Sequence, residues 1–568
     1  MTARGKFVLT LIILGVVGLG VFKWWDKLNP NGVAAATASA SPASGAAAPA
    51  DASSTPTATL AAIKAINDKL TTPDTGAPAI GPAAAYVVKD NTLDLDLSQW
   101  AGYAGIIAAN GGLEPNENSY FFKKFGFKVR IKLSEDSNWS ELNNGHFAAS
   151  GTTVDVLAVQ PRNFQVVVPV QIDFSRGADG IVVRKGIKGI NDLKGKVLVT
   201  EQFTESDFFI RTLAQEAGIG VAMQSSLNDR PAADKINLVY TDDAFTAGDL
   251  FLKDLQSGDS KLAGCVTWDP KTTEVVDASK GAARVLVTNR NLLIVADVLV
   301  VNKGFATANP AMVAGLVEGV LAGNRQVRDN PDAHMEEIAQ AFKWDQDKAK
   351  RELAKVHLSN LPENVAFFSG SMDAAGSFNS IFQSSVLAYG ADMIKDPSDP
   401  DRYSDAKYLQ QIATAGTFAG EVISLAPIRA TTTGSLENDP LLSKDIRFLF
   451  EPNSSVLDQA NKDNLSSLDA IKRLLVVSPG STILLRGHVD NSSVEKFRQD
   501  GGDTLVRQMA LQAMQLSKDR ANEIKKVMIE RLKADPARIE TIGRGWEEPA
   551  GKDPEKNRRV EVQWFTLE

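Results

Sequence analysis

Between Tyr86 and Glu421 the chain alternates short apolar, β-branched runs with longer stretches of helical periodicity. That alternation restricts it to a parallel-type α/β sheet covered by helices on both faces. Strand candidates are Thr153–Val159, Gly180–Val183, Lys196–Thr200, Asn237–Tyr240, Leu262–Thr267, Arg284–Thr288 and Val298–Asn302. Asp207–Glu216 and Asp243–Leu255 read as helices between them, and Ala311–Ala415 reads as mainly helical. A polar bridge, Ala430–Asp439, precedes a separate C-terminal region. At 568 residues the chain is too long for one ordinary core, so two or three domains are expected.

The N-terminus carries a second constraint. Arg4 and Lys6 precede an apolar run from Phe7 to Val21 in which Thr10 is the only polar residue. As a helix, Phe7 to Trp25 would rise about 28 Å, close to the thickness of a bilayer core. Trp24 and Trp25 suit the interface, and the basic residues before the run favour a cytoplasmic N-terminus. Residues 1–6 are therefore expected in the cytoplasm and 7–25 as an anchor in a bacterial inner membrane, with the bulk in the periplasm. A cleaved signal peptide is the rival, but Lys23-Trp24-Trp25-Asp26 stands where small residues should follow. Residues 26–60 are nearly all Ala, Ser, Thr, Pro and Gly past Asn29, too poor in apolar area to offset ordering entropy, and are expected as a disordered linker. Residues 59–70 then read as a short amphipathic helix.

Charge and composition exclude several classes of function. The net charge of -8 argues against nucleic acid as a partner. Cys265 is the only cysteine, and His146, His334, His357 and His488 show no metal-ligand spacing. No nucleophile elbow, phosphate loop or His-based triad is present, so neither an enzyme nor a cofactor is expected.

The middle region resembles the periplasmic solute-binding proteins of the nitrate, sulfonate and taurine transporters. The residues that carry the resemblance run in order: Leu97–Gly111, Gln171–Gly180, Ile190–Lys196, Val266–Pro270 and Asp297–Asn302. The resemblance implies a type II periplasmic-binding-protein fold at 80–425, with two α/β lobes closing on a ligand. Lobe one would comprise about 86–180 and 298–421, and lobe two about 185–295. Loops after strands end at helix N-termini, where free N–H groups favour an anion. Trp100, Gly102 and Tyr103 lie on one such turn, Thr204 and Ser206 on another, and Ser175 and Gly177 on a third. Trp268 and Asp269 would face the cleft from lobe two. Core packing is the alternative for Trp100 and Trp268, and turn capping for Asp173 and Asp179. Glu205 beside Thr204 would repel an anion.

The C-terminal region, 440–568, resembles the OmpA-like peptidoglycan-binding family. The matching segments are Gly487–Asn491, Leu516–Ala521, Arg538–Gly545 with Pro549, and Asn557–Glu561. Their order implies an α+β domain, β-α-β-α-β-β, with strands near Asp445–Phe450, Ser481–Val489, Arg538–Gly543 and Arg558–Phe565. Helices are expected near Gln459–Leu475 and Leu505–Lys533, with Ala521, Ile524, Met528 and Leu532 on one face. Val494–Gln512 reads as an inserted loop. The resemblance implies that Asp490 and Arg520 hold the diaminopimelate of a stem peptide, with Asn491 beside them. An ammonium wants a carboxylate, and a carboxylate wants a guanidinium fork. A direct Asp490–Arg520 salt bridge is the alternative.

An anchor, a linker and such a module also resemble flagellar stator proteins of the MotB type, but Phe7–Phe22 lacks the ionisable residue an ion-driven motor needs. Two functions remain. One is a membrane-anchored clamp for a small-molecule solute, an anion among the candidates, fixed to peptidoglycan and serving an ABC permease or another envelope protein. The other is a structural tether whose middle domain docks proteins.

Overall fold

The computed structural model describes residues 63–134, 138–258, 260–371, 376–425, 440–451 and 454–565. The expected cytoplasmic N-terminus 1–6, anchor 7–25, linker 26–60 and polar bridge 430–439 lie outside them. Among the described residues no helix is long and apolar enough to cross a membrane.

The chain first lays down β1 (Thr92–Leu97), β2 (Lys128–Leu133), β3 (Ala149–Thr153) and β4 (Val166–Ser175). It then passes into a second sheet through β5 (Asp179–Arg184), β6 (Val197–Glu201), β7 (Gly220–Met223), β8 (Lys235–Thr241), β9 (Gly264–Trp268) and β10 (Ala283–Thr288). It returns to the first sheet as β11 (Ala296–Asn302) and β12 (Val356–Leu358). Among the described residues the first sheet runs β12-β4-β11-β3-β1-β2 and the second β10-β5-β9-β6-β8-β7. Two chain passages, after Ser175 and before Ala296, thus join two lobes.

The sheets are not purely parallel. β1 pairs in parallel with β2 and β3, and β6 with β8 and β9. β11 is antiparallel to both β3 and β4, and β5 to both β9 and β10. The crossing strands arrive from the opposite lobe, so they enter each sheet in the reverse direction. The expected strand at Thr153–Val159 is also different: β3 ends at Thr153 and Val154–Ala158 is helical. All five helical residues are buried, and a short run with no exposed face does not distinguish strand from helix.

Sequence-local signals set the helix ends. Asp243 Oδ1 accepts the Thr246 N–H at 2.8 Å, and the helix Ala244–Ser257 closes on Gly258 in the left-handed region. Residues 63–67 form a helical turn, with Ile63 and Ile66 buried among Val197, Val199 and Phe251 of lobe two.

The C-terminal domain contains β13 (Leu442–Ile446), β14 (Thr482–Gly487), β15 (Ile539–Gly543) and β16 (Val560–Phe565), in the order β13-β16-β14-β15. The helices Lys462–Val477 and Val494–Leu532 pack Leu468, Ile471, Ile524 and Met528 onto Ile483, Leu485 and Trp564. Two expectations change here. The first strand is Leu442–Ile446 rather than Asp445–Phe450, since Phe450 lies beyond it in an isolated bridge to Leu457. The segment Val494–Gln512 is helical instead of a loop, interrupted only at Gly501 and Gly502, where φ/ψ leave the helical region. Gly502 takes φ +64°, which glycine adopts at little cost. The Asn191 side chain of lobe two exchanges two hydrogen bonds with the Ser443 backbone, 2.8 and 2.9 Å, and so covers part of the edge strand β13.

Candidate functional site

The cavity between the two sheets is built first by the turn that follows β1. Trp100 precedes a single helical turn, Ala101–Tyr103, and its indole N–H donates to Asp173 Oδ1 at 3.3 Å. Tyr103 donates its hydroxyl to Asp297 Oδ1 at 2.9 Å. Both geometries depend on glycine. A Cβ on Gly102 would stand 2.1 Å from Asp173 Oδ2, and one on Gly151 would stand 2.5 Å from the Tyr103 ring. Lobe two contributes Asp179 from the start of β5, Thr204 and Glu205 from the start of the helix Glu205–Glu216, and Trp268 from the end of β9. Trp268 is held against Phe245, ring centroids 4.7 Å apart. The cavity measures about 840 Å³ including its open mouth.

Its electrostatics are one-sided. Asp96, Asp179, Glu201, Glu205 and Asp297 line it, and among the described lining residues there is no lysine, arginine or histidine. Burial, then repulsion from Asp173, Asp179 and Glu205, raises the Asp297 carboxyl well above the carboxylate range. Burial, then the charges of Asp179, Asp155 and Glu201, does the same to Glu205. Burial pushes Asp179 up to about 6, although Ser175 Oγ donates to it at 2.6 Å and Asn289 Nδ2 at 2.8 Å.

This lining does not favour an anion, which was one candidate among the possible solutes. The helix N-terminus at Thr204, which could have bound one, carries Glu205 as its first residue. The protein's own carboxylate already occupies the position the helix dipole favours. At the other turn the buried Asp173 carboxylate lies against Gly102.

Of the sequence-selected residues, Trp100, Tyr103, Ser175, Thr204 and Trp268 line the cavity. Gly102, Gly177, Ser206 and Asp269 do not. Gly102 supports Asp173 from behind, and Ser206 is fully buried on the helix. Gly177 takes φ +115° in the crossing segment and donates its N–H to Asn289 Oδ1 at 2.8 Å. Asp269 turns to lobe one instead, where Lys355 Nζ reaches its Oδ2 at 2.6 Å. Sequence inspection missed Trp139, Ser150 and Asp297 in the lining. Asp297 did stand at the head of a recognised segment, while Trp139 and Ser150 carried no local signal.

A second pocket lies in the C-terminal domain, where Asp490 and Arg520 line the same groove with Phe450, His488 and Arg558. Asp490 follows β14, and Arg520 projects from the long helix packed against that strand. The two are not joined directly; Arg558 Nε donates to Asp490 Oδ2 at 2.8 Å. Burial opposes ionisation of Asp490, but bonds from Ser492 and Arg558 hold its carboxyl below the usual range. Arg520 donates to the Ser454 carbonyl at 3.3 Å and lies over the Phe450 ring, 5.0 Å from its centroid. One end of the groove therefore offers a carboxylate and the other a guanidinium, the pattern that a zwitterion fits.

Residues 449–563 match the model of the OmpA family. The C-terminal domain is an OmpA-family domain. This chain is also 26% identical over 149 residues to the outer membrane protein Omp38 of Acinetobacter baumannii, a match covering 25% of this chain and 37% of that protein. The chain thus spans little more than a third of that relative's length. Over the two-lobed part, solved structures with a similar chain path include the periplasmic aliphatic sulphonate binding protein SsuA from Escherichia coli. It is 14% identical with a TM-score of 0.41, covering 55% of this chain and 92% of that one. The periplasmic nitrate-binding protein NrtA from Synechocystis gives 12% and 0.40, covering 57% and 89%. A putative periplasmic sulfonate-binding protein from Methylobacillus flagellatus gives 13% and 0.42, covering 58% and 96%.

Within the OmpA-family domain, Asn491 is exposed and outside the groove, so it is not the neighbour of Asp490 that was expected. Arg558 takes that place. Arg559 also borders the groove but pairs with Asp445 at 2.9 Å. The recognised segment Asn557–Glu561 carried these arginines, but not which of them would reach Asp490.

Proposed function

We propose that this protein is an envelope component that captures a small solute between its two lobes and grips peptidoglycan through its OmpA-family domain. In this reading residues 7–25 anchor it in the inner membrane and 26–60 span the gap to the wall. Asp490 would receive the ammonium of a diaminopimelate stem peptide, and Arg520 its carboxylate. The observation that carries the wall-binding half is that Asp490 and Arg520 line one groove without pairing to each other. The solute-binding half is supported by a cavity walled by both lobes, with aromatic faces and hydroxyls around it. A bound solute would be released to a permease or reported to another envelope protein.

Co-sedimentation of the full-length protein with purified sacculi tests the first half. Wild type should pellet with the sacculi, and Asp490→Ala and Arg520→Ala should each lose about tenfold or more in affinity. Undiminished binding by both variants would remove the assignment.

A further inference from the structure

The lining of the cleft is selective in its chemistry. Five carboxylates come from four separate places: Asp96 on β1, Asp179 on β5, Glu201 and Glu205 around the end of β6, and Asp297 on β11. Among the described residues none of Asp179, Glu205 and Asp297 has a lysine or arginine partner. Burying like charges this close is costly unless something of opposite sign joins them. The fold retains them all the same, with Tyr103 donating a hydrogen bond to Asp297 and Ser175 and Asn289 donating to Asp179.

The remaining walls point to an organic ligand. Trp100 and Tyr103 from lobe one, Trp139 beside them, and Trp268 from lobe two present rings to the same space. Ring faces attract ammonium and guanidinium groups, and more strongly where water is excluded. A bare metal ion would want several oxygens converging at bonding distance, and no group of acidic residues in this cleft converges in that way among the described residues. A further observation is independent of charge. The Ser150 hydroxyl, on a residue only 3% exposed, lines the cavity and has no hydrogen-bond partner among the described residues. Buried hydroxyls are rarely left unpaired, so a ligand group that meets it completes the site.

We propose that the cleft binds a small organic cation, an ammonium- or guanidinium-bearing solute seated between the aromatic faces and held by Glu205, Asp179 and Asp297. This rests on the two-lobed clamp reading above and assigns its ligand class. The lobe-two carboxylates Asp179 and Glu205 already lie near enough to Asp297 of lobe one to act on its carboxyl. Like charges oppose that arrangement, and a cation placed between them removes the opposition. The ligand charge therefore stabilises the closed arrangement of the lobes. Sulfonates, nitrate and other anions would meet only repulsion.

The test uses purified full-length protein. Thermal melting and calorimetric titration are run with putrescine, agmatine and choline, and in parallel with taurine, sulfate, nitrate and calcium. The expected result is a rise in melting temperature of several degrees for at least one organic cation at about a hundred times its Kd, with no rise for the anions. Quenching or a shift of tryptophan emission should accompany it, since three tryptophans line the site. Asp297→Asn and Glu205→Gln should each weaken that cation by about tenfold or more, with melting of the empty variant no lower than wild type. If a variant fails to fold, Trp139→Phe gives a second measure, with affinity expected to fall severalfold. Binding of an anion in place of the cations overturns the proposal but leaves the clamp reading intact. Response to calcium alone overturns the organic ligand. No response in any arm, with unchanged tryptophan emission, overturns both.

Discussion

Lys355 Nζ lies 2.6 Å from Asp269 Oδ2, and this ion pair ties lobe one to lobe two. Lys355 sits just before β12, Asp269 just after β9, and Asp269 is 5% exposed. The same lysine also reaches Glu352 at 3.1 Å. A second, longer contact, Lys348 to Glu274 at 3.6 Å, joins the same two lobes. A pair with one well-buried member costs more to break than a surface pair.

Lys355→Met should therefore loosen the closed clamp. The expected outcome is faster solute release and a Kd raised about three- to tenfold, read by stopped-flow tryptophan fluorescence. Lys348→Met, whose contact is longer and more exposed, should have a much smaller effect. Equal effects from the two would argue against the Asp269–Lys355 pair as the latch.

The groove of the OmpA-family domain holds a built-in competitor. Arg558 donates to the Asp490 carboxylate that the stem peptide would need, from a side chain about half exposed. Such a pair contributes little, on the order of 0–1 kcal/mol. Arg558→Gln should leave wall binding unchanged or raise it severalfold in sacculus co-sedimentation, in contrast to the loss from Asp490→Ala.

The cleft carboxylates give the empty protein an unusual pH response. Burial lifts Asp179 to about 6, and it lifts Asp155, which does not line the cleft, to about 7. An acid with a raised folded-state pKa holds its proton longer in the folded protein than in the unfolded chain. Its contribution to stability is complete below about 4 and is lost as pH rises through its folded value. Melting temperature of the ligand-free protein should therefore fall by several degrees between about pH 4 and 7. A saturating organic cation should flatten that slope, and Asp179→Asn should reduce it.

Two other acids act in the opposite sense. Burial opposes ionisation of Glu363, but His357 and the backbone N–H groups of Asn360 and Ser424 bring its carboxyl down to about 2. Glu561 also falls to about 2, where burial is outweighed by His488 and Arg486. A depressed acid contributes stability above its unfolded value and loses it as pH falls through the folded one. Melting should decline again between about pH 4.5 and 2. Glu363 also closes the capping box of Leu361–Ser369, so Glu363→Gln should cost about 1–3 kcal/mol in chemical denaturation at neutral pH.

Gly151→Ala tests the seat of Tyr103. The added methyl would stand 2.5 Å from the ring, and overpacking of this kind costs about 1–3 kcal/mol. Because Tyr103 must move to relieve it, solute affinity should fall along with melting temperature. A drop in stability with unchanged affinity would show that Tyr103 is not part of the binding wall.

The C-terminal domain was legible in the sequence because its information is local. Each recognised segment is one strand end or one helix turn, and the face Ala521, Ile524 and Met528 follows from helical spacing alone. Asp490 and Arg520 lay within such segments, and the fold brings them to one groove. The Val494–Gln512 helix was missed because Gly501-Gly502 reads as a loop signal, whereas here it only interrupts a helix. The alternation of strands and helices likewise pointed to an α/β sheet, while its division into two lobes came from the resemblance to solute-binding proteins. What the tertiary structure alone decided is the character of the cleft. Its walls come from turns and strands as far apart as Tyr103 and Asp297, and a strand residue faces the cavity or the core according to register, which inverts with a slip of one position. The carboxylates were visible one by one in the sequence, but only packing put five of them around one space with no lysine, arginine or histidine among the described lining residues.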